Sequence, residues 1–221
     1  ELRSKILRLS NMGNDSLIKI EKNELIISNK GKGQKIDLSA LQLIENNYVI
    51  VAEETYDPPT TSLDENGQGI PYAVYGYGAQ MAEITVDTEL GLLKIDKITA
   101  AHDLGKTINP LLAEGQIEGG IAQVIGFALM EEYIPSKTEN LHDYLIPSIG
   151  DVPEIESILI EKNDPEGPFG ARGLGEHVLI PTAPAIMNAL RNATGAIITK
   201  FPALPDRILE AIEISKNGSS K

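Results

Sequence analysis

The sequence predicts an α+β fold in which mixed sheets pack against helices. Residues 72–87 alternate apolar and polar side chains, as half-buried strands do, whereas the apolar residues after Pro110 recur with a helical period. The chain also contains no internal repeat and no low-complexity block. With 221 residues, 42% of them hydrophobic, it is long enough for one or two folded domains with a buried core.

The first part of the chain predicts a helix and a β-hairpin. One helical face carries Leu2, Ile6, Leu7 and Leu9, and the turn-forming sequence SNMGND ends the helix. The alternating segments 16–23 and 24–33 predict the two strands of the hairpin. A short helix over 36–47 and a strand over 48–56 are predicted next. The Pro-, Asn- and Gly-containing residues 57–69 then predict a long loop.

The remaining elements follow from the same signals. Residues 72–87 and 92–103, joined by TELG, predict a second and longer hairpin, and a helix of roughly 20 residues follows Pro110. The later predictions are a strand over 153–164, a helix over 184–195, a strand over 196–200 and a helix over 205–214. We therefore expect an N-terminal part (1–70), a main domain (71–214) and a flexible tail (215–221).

The charge and the missing cysteines exclude several classes of protein. Thirty-two acidic against 19 basic residues give a net charge of −13, which repels nucleic acid and anionic lipid surfaces. Without cysteine the chain has no disulfide, thiolate zinc site or iron-sulfur cluster of its own. No apolar run reaches the length of a membrane span, so the predicted location is the cytoplasm. Because the first residues already have the pattern of a helix interior, we expect a fragment or split subunit of a longer protein.

The long helix after Pro110 carries two glutamines on one face. Gln116 and Gln123 are seven residues apart, which places them in nearly the same direction on a helix. Gly119, Gly120 and Gly126 add bare backbone, although each glycine costs a helix interior roughly 1 kcal/mol. Two explanations remain open, namely another element packed on the glycines or a large flat ligand held by the amides. The opposite face predicts core: Leu112, Ile117, Ile121, Val124, Ile125, Ala128 and Leu129.

A glycine-rich loop, GPFGARGLGE, ends in an acid. Its spacing matches neither a P-loop nor a dinucleotide fingerprint, so a phosphate cradle is weakly supported. Glu176 is followed by the apolar HVLIPTAPAI, and a carboxylate desolvated by such neighbours is suited to act as a general base. The alternative is an acid that interacts favourably with a helix N-terminus. His102, His142 and His177 lack metal-ligand spacing and are expected to be structural.

A resemblance to a known family rests on two stretches of the chain. They are DLGKTINPLLAEGQIEGGIAQVIGFALMEEY (103–133) and DPEGPFGARGLGEHVLIPTAPAIMNAL (164–190). Together they resemble the molybdenum-cofactor-binding subunit of the xanthine dehydrogenase and aldehyde oxidase family, the molybdenum hydroxylases. The resemblance is strong over 71–212 and loose over the first seventy residues. It implies insertion of water-derived oxygen into a C–H bond of an aldehyde or an electron-poor heterocycle.

The resemblance also implies roles for individual residues and partners. Glu176 occupies the position of the family's base, Gln116 that of a pterin contact, and Gln123, Arg172 and Gly173 are further candidates for cofactor binding. The family holds molybdenum through molybdopterin, in some members the cytosine dinucleotide form, with no protein ligand on the metal. Its [2Fe-2S] clusters and FAD lie on other domains or subunits. The family's other cofactor loops and substrate-pocket residues lie upstream of the matching region, so we expect the isolated chain to be inactive.

Two other interpretations remain. One is a non-catalytic assembly domain of such a complex, in which Glu176 would be blocked from solvent. The other is a nucleotide-binding protein that uses the glycine loop. The molybdenum interpretation requires that Glu176 and the amide-bearing face of the long helix border one cavity.

Overall fold

The computed structural model describes residues 1–218, which form two compact units, Glu1–Pro59 and a second unit that starts at Thr60. The boundary lies earlier than the expected division after residue 70. The long loop belongs to the second unit, where the Thr61 N–H donates to the Ile70 carbonyl over 2.8 Å. Among residues 1–218, no helix combines the length and the apolar character that crossing a membrane requires.

The first unit consists of one helix and one antiparallel sheet. Helix α1 (Leu2–Ser10) is followed by β1 (Leu17–Glu21), β2 (Glu24–Asn29) and β3 (Lys32–Asp37), paired in the order β1-β2-β3. The predicted helix and hairpin are confirmed. The third strand was not predicted, because its sequence, KGQKID, is polar at most positions. The core of the unit contains Ile6, Leu7, Leu25 and Ile27.

The second unit is built on a three-stranded sheet. Strands β4 (Tyr77–Asp87) and β5 (Leu92–Asp103) form the predicted antiparallel hairpin. Strand β6 (Glu154–Ile160) pairs parallel to β5 on its other side, so the sheet order is β4-β5-β6 and the sheet is mixed. In β4 and β6 only alternate residues are partly buried, so one face of the sheet is covered and the other is exposed.

Three helices complete the second unit: α2 (Pro110–Leu129), α3 (Thr182–Thr194) and α4 (Pro205–Gly218). Helices α2 and α3 pack on the sheet and on each other. The largest side chains of this core that are fully buried are Ile98, Ile117, Ile121, Ile125 and Ile186. This arrangement agrees with the predicted α+β class.

Four predicted elements differ from the structure. The strands predicted over 48–56 and 196–200 are wrong, because these residues are irregular and pair with no neighbouring strand among the described residues. The helix predicted over 36–47 is reduced to two 3-10 turns, Leu38–Ala40 and Glu45–Asn47, since residues 36 and 37 complete β3. Helix α4 continues past the predicted end at residue 214 as far as Gly218. Only residues 219–221 of the predicted tail remain, and they lie outside the described residues.

Candidate cofactor and catalytic site

Glu176 begins a 3-10 turn, Glu176–Val178, which we call the Glu176 turn. Val178 is fully buried, and it lies so close to α2 that a Cβ on Gly120 would be 2.5 Å from its Cγ2. The Leu179 N–H donates to the Glu176 carbonyl over 3.0 Å and closes the turn. The Glu176 side chain itself is exposed. The backbone of the turn is therefore held in place, and it presents one carboxylate to solvent.

An apolar groove of about 600 Å³ lies beside this carboxylate. Its walls include Val124 and Phe127 of α2, several residues of α3, and Phe201, whose ring centroid is 5.0 Å from that of Phe127. Among the described residues that line the groove, Glu176 alone is charged. Glu176 thus shares an open groove with Val124 and Phe127 of α2, but Gln116 and Gln123 do not line it. The predicted cavity shared by Glu176 and the amide-bearing face of α2 is therefore not seen in this groove and stays a prediction.

The amide-bearing face of α2 is open to solvent. Gln116, Gly119 and Gln123 are all exposed, and a Cβ added to Gly119 would meet nothing within 4 Å. Gly120, one position on, is instead covered by Val178. Packing of another element therefore explains Gly120, whereas Gly119 leaves bare backbone accessible, where the bound ligand stays a prediction. Leu112 was expected in the core, but it is 69% exposed, because the first turn of α2 extends beyond the packed elements.

The glycine loop is fixed to the end of β5 by Arg172. Its Nη1 donates to Asp103 Oδ2 over 2.8 Å and its Nε to Asp164 Oδ2 over 3.0 Å, and all three side chains are nearly buried. The guanidinium also lies over the Tyr77 ring, 5.6 Å from its centroid. The backbone adds a bond from the Arg172 N–H to the Leu104 carbonyl over 2.7 Å. Two carboxylates of this chain thus compensate the positive charge, so the structure favours an architectural role for Arg172 over neutralisation of a cofactor.

The four glycines of the loop divide into two pairs. Gly167 and Gly170 are required by the loop itself, since a Cβ on Gly167 would be 1.8 Å from the Ala171 carbonyl oxygen and Gly170 has φ +82°. Gly173 and Gly175 are exposed, with nothing within 4 Å of an added Cβ. The open pair directly precedes Glu176, where a bound group could approach the backbone closely.

His177 of the Glu176 turn lies beside His102 of β5. His102 is fully buried, and burial together with the charge of His177 lowers its pKa to about 4. Burial also lowers the pKa of His177, while the charge of Asp103 opposes that shift. The ring centroids of the two histidines are 5.2 Å apart. His142, in contrast, is exposed.

Gln80, Thr182 and the two aspartates that bind Arg172 belong to this region, and sequence reasoning did not select them. Gln80 on β4 had a detectable signal, because it lies in phase with Ala82, Ile84 and Val86 on the buried face of the strand. A polar residue at such a position requires hydrogen-bonding partners. Asp103 and Thr182 carried no comparable signal, because their partners come from distant segments. Asp164 binds Arg172 only eight residues away, but no sequence pattern marks that contact.

Comparison with known proteins defines the class. Residues 1–153 match the family model of the molybdopterin cofactor-binding domain. The putative xanthine dehydrogenase molybdenum-binding subunit XdhA of Escherichia coli is 40% identical over 145 residues, 63% of this chain and 19% of that protein. The gamma subunit of the 6-hydroxypseudooxynicotine dehydrogenase complex of Paenarthrobacter nicotinovorans is 32% identical over 195 residues, 81% of this chain and 23% of that protein. The aldehyde oxidoreductase structure from Desulfovibrio gigas superposes with a TM-score of 0.67 at 41% identity, covering 70% of this chain and 17% of that chain.

The chain therefore belongs to the molybdenum-cofactor-binding subunits of the xanthine dehydrogenase and aldehyde oxidase family. It spans about a fifth of the length of the curated relatives it matches. The family match begins at residue 1, so the first seventy residues belong to the matching region more firmly than the sequence motifs indicated.

The exposed amides of α2 and the open glycines of α2 and of the glycine loop have the chemistry that suits the family's cofactor. A flat group with many hydrogen-bonding edges needs amide donors and acceptors beside backbone that carries no Cβ, and Gln116, Gln123, Gly119, Gly173 and Gly175 provide these features. Across residues 1–218, no group of three or more His, Asp or Glu residues could hold a metal ion. What these residues offer is hydrogen bonding to an organic group.

Proposed function

We propose that the chain forms part of the catalytic centre of a molybdenum hydroxylase that oxidises an aldehyde or an N-heterocycle with water as the oxygen source. The observation that supports the proposal is the Glu176 turn, which places a single exposed carboxylate beside an apolar groove and against α2. Such a groove suits a neutral, weakly polar substrate better than a highly charged one.

Glu176 acts as the general base in this proposal. In its ionised form the carboxylate accepts a proton from the water that supplies the oxygen. The groove residues orient the substrate, and the turn fixes the backbone position from which the carboxylate extends. The cofactor, when bound, supplies the acceptor for the two electrons that leave the substrate.

Gln116 and Gln123 hold the cofactor by hydrogen bonds, and Gly173 leaves the backbone accessible to it. The cofactor is molybdopterin, and the cytosine dinucleotide form remains part of the proposal. Electrons then leave through [2Fe-2S] clusters and FAD on partner subunits. The rest of the molybdenum subunit is a further partner in this proposal. Two observations support partners: the aligned part of this chain covers only 19–23% of the length of these relatives, and one of them is described as a subunit of a complex.

Replacement of Glu176 by Gln in the assembled complex tests the base. The amide keeps the shape of the side chain but cannot take a proton, so we expect kcat to fall by about 10² to 10⁴. The matched control is Glu166→Gln, the same change at an exposed position of the same loop. Molybdenum content should remain unchanged in both variants. Wild-type turnover of Glu176→Gln would refute the assignment.

The alternative of a non-catalytic assembly domain predicts that Glu176 is blocked. The side chain is exposed, so this alternative gains no support from the structure. Molybdenum and pterin analysis of the assembled complex separates the two functions, since an assembly domain would yield a complex that contains neither at this site.

A further inference from the structure

The side chain of Gln80 joins four elements beneath the Glu176 turn. Its Nε2 donates to the Val178 carbonyl over 2.8 Å and lies 3.2 Å from His102 Nε2, while its Oε1 accepts from Thr182 Oγ1 over 2.7 Å. A carbonyl oxygen can only accept, so the atom that faces Val178 must be the NH₂ group. This fixes the orientation of the amide without reference to the histidine.

The orientation of the amide determines the tautomer of His102. The second hydrogen of the Gln80 NH₂ group points at His102 Nε2, which must therefore accept. The proton of this neutral imidazole then lies on Nδ1. Nδ1 packs over Gly78, where an added Cβ would be 2.4 Å away, and it is buried without a hydrogen-bond partner.

A complementary atom is present on the neighbouring ring. Nε2 of His177 is also buried without a partner, and the ring centroids of His102 and His177 are 5.2 Å apart and tilted by 58°. A buried donor and a buried acceptor that are both unpaired are costly, and one hydrogen bond between these two nitrogens would satisfy both. His177 directly follows Glu176 in the chain, so its ring forms the second anchor of the turn.

We infer that Gln80, His102 and His177 form a hydrogen-bonded chain that positions Glu176. Gln80 sets the Nδ1–H tautomer of His102, and His102 donates to His177 Nε2. His177 and the Val178 carbonyl, which Gln80 also binds, then fix the turn that carries the carboxylate. These three are positioning residues, because none of them contacts the groove. The inference rests on the proposed role of Glu176 only for its kinetic consequence, since the inferred hydrogen bonds involve no atom of Glu176.

Imidazole nitrogen NMR of the full chain tests the hydrogen bonds without cofactor or activity. We expect both His102 and His177 in the Nδ1–H form near neutral pH. In Gln80→Glu the carboxylate has no hydrogen to donate, so His102 should change to the Nε2–H form. The control is Gln34→Glu, the same substitution at an exposed strand position of the first unit, which should leave both tautomers unchanged. An Nε2–H His102 in the unsubstituted chain would overturn the inference.

Kinetics of the assembled complex test the positioning. A misdirected base slows the chemical step more than it weakens substrate binding, so Gln80→Glu should lower kcat by about 10- to 100-fold with KM nearly unchanged. Gln34→Glu should match the wild type. A changed tautomer with an unchanged kcat would overturn the positioning role. If Glu176→Gln were fully active, the assignment of the base would fail, whereas the tautomer result would stand.

Discussion

Gly120 of α2 lies directly beneath Val178 of the Glu176 turn, with no room for a Cβ between them. One position earlier, Gly119 faces open space on the surface where we place the cofactor. Two neighbouring glycines of one helix thus have different surroundings. Adding a methyl group to each, by replacement with alanine, should therefore have different effects.

We expect Gly119→Ala to stabilise the chain and Gly120→Ala to destabilise it. Alanine favours a helix interior over glycine by about 1 kcal/mol, and at Gly119 nothing in this chain opposes the gain. At Gly120 the methyl group would collide with Val178, at a cost of about 1–3 kcal/mol. Urea denaturation of the full chain measures both values.

The same pair also tests the cofactor surface. If a cofactor lies on Gly119, Gly119→Ala should lower the molybdenum content of the assembled complex although the chain itself is more stable. Full molybdenum loading of this variant would show that Gly119 of α2 does not contact the cofactor.

Arg172→Ala should destabilise the second unit by about 3 kcal/mol, because it leaves the nearly buried Asp103 and Asp164 without their counter-charge. Arg172→Lys should cost less, although an ammonium group cannot reproduce the forked hydrogen bonds. Arg191 on α3 is exposed, so Arg191→Ala should stay within about 0.5 kcal/mol of the wild type. Unchanged stability of Arg172→Ala together with lost molybdenum would instead support a cofactor contact.

The buried histidine makes stability depend on pH. The pKa of His102 is lowered from 6.5 to about 4, so the unfolded chain binds more protons than the folded chain between these values. The free energy of unfolding should therefore fall as the pH drops through this window, by about 3 kcal/mol in total, and should be fully retained above it.

Denaturation curves recorded across this pH range provide the measurement. Since His102→Gln removes the titrating group, its stability should vary less steeply with pH, whereas the exposed His142→Gln should follow the wild type. Equal slopes for all three chains would show that His102 does not carry the effect.

Asn109 caps α2, the helix that bears the two glutamines. Its Oδ1 accepts from the Leu112 N–H over 3.1 Å. Asn109→Ala should cost about 1 kcal/mol, whereas Asn109→Asp keeps the acceptor and should be neutral or slightly stabilising. Thermal denaturation of the two variants tests the cap, and equal melting temperatures would argue against it.

Local patterns predicted most of the elements because each requires only its own residues. The alternation in β4 and the apolar period of α2 are examples. The strand predicted over 48–56 failed for the opposite reason, since a strand exists only where a partner offers hydrogen bonds, and the sequence does not specify that partner.

In the candidate site, too, features that depend on local residues could be predicted, whereas contacts between distant residues could not. Glu176 and Gln116 could be selected from sequence motifs and a family resemblance, whereas the hydrogen bonds around Arg172 and Gln80 join residues that are far apart along the chain. Such contacts depend on the folded arrangement of β4, β5 and α3. Gln80 alone was detectable, as a polar residue in phase with the apolar face of its strand.

The parallel pairing of β6 with β5 sets an order of assembly. The β4–β5 hairpin is local and can form as soon as both strands have been synthesised, whereas β6 must wait for all of α2 and the segment after it. The segment that carries Glu176 comes later still and docks on elements that have already folded. During biosynthesis the surface that we propose to be catalytic is therefore completed after the hairpin, and a nascent chain that stalls before Glu176 would retain its hairpin without the proposed base.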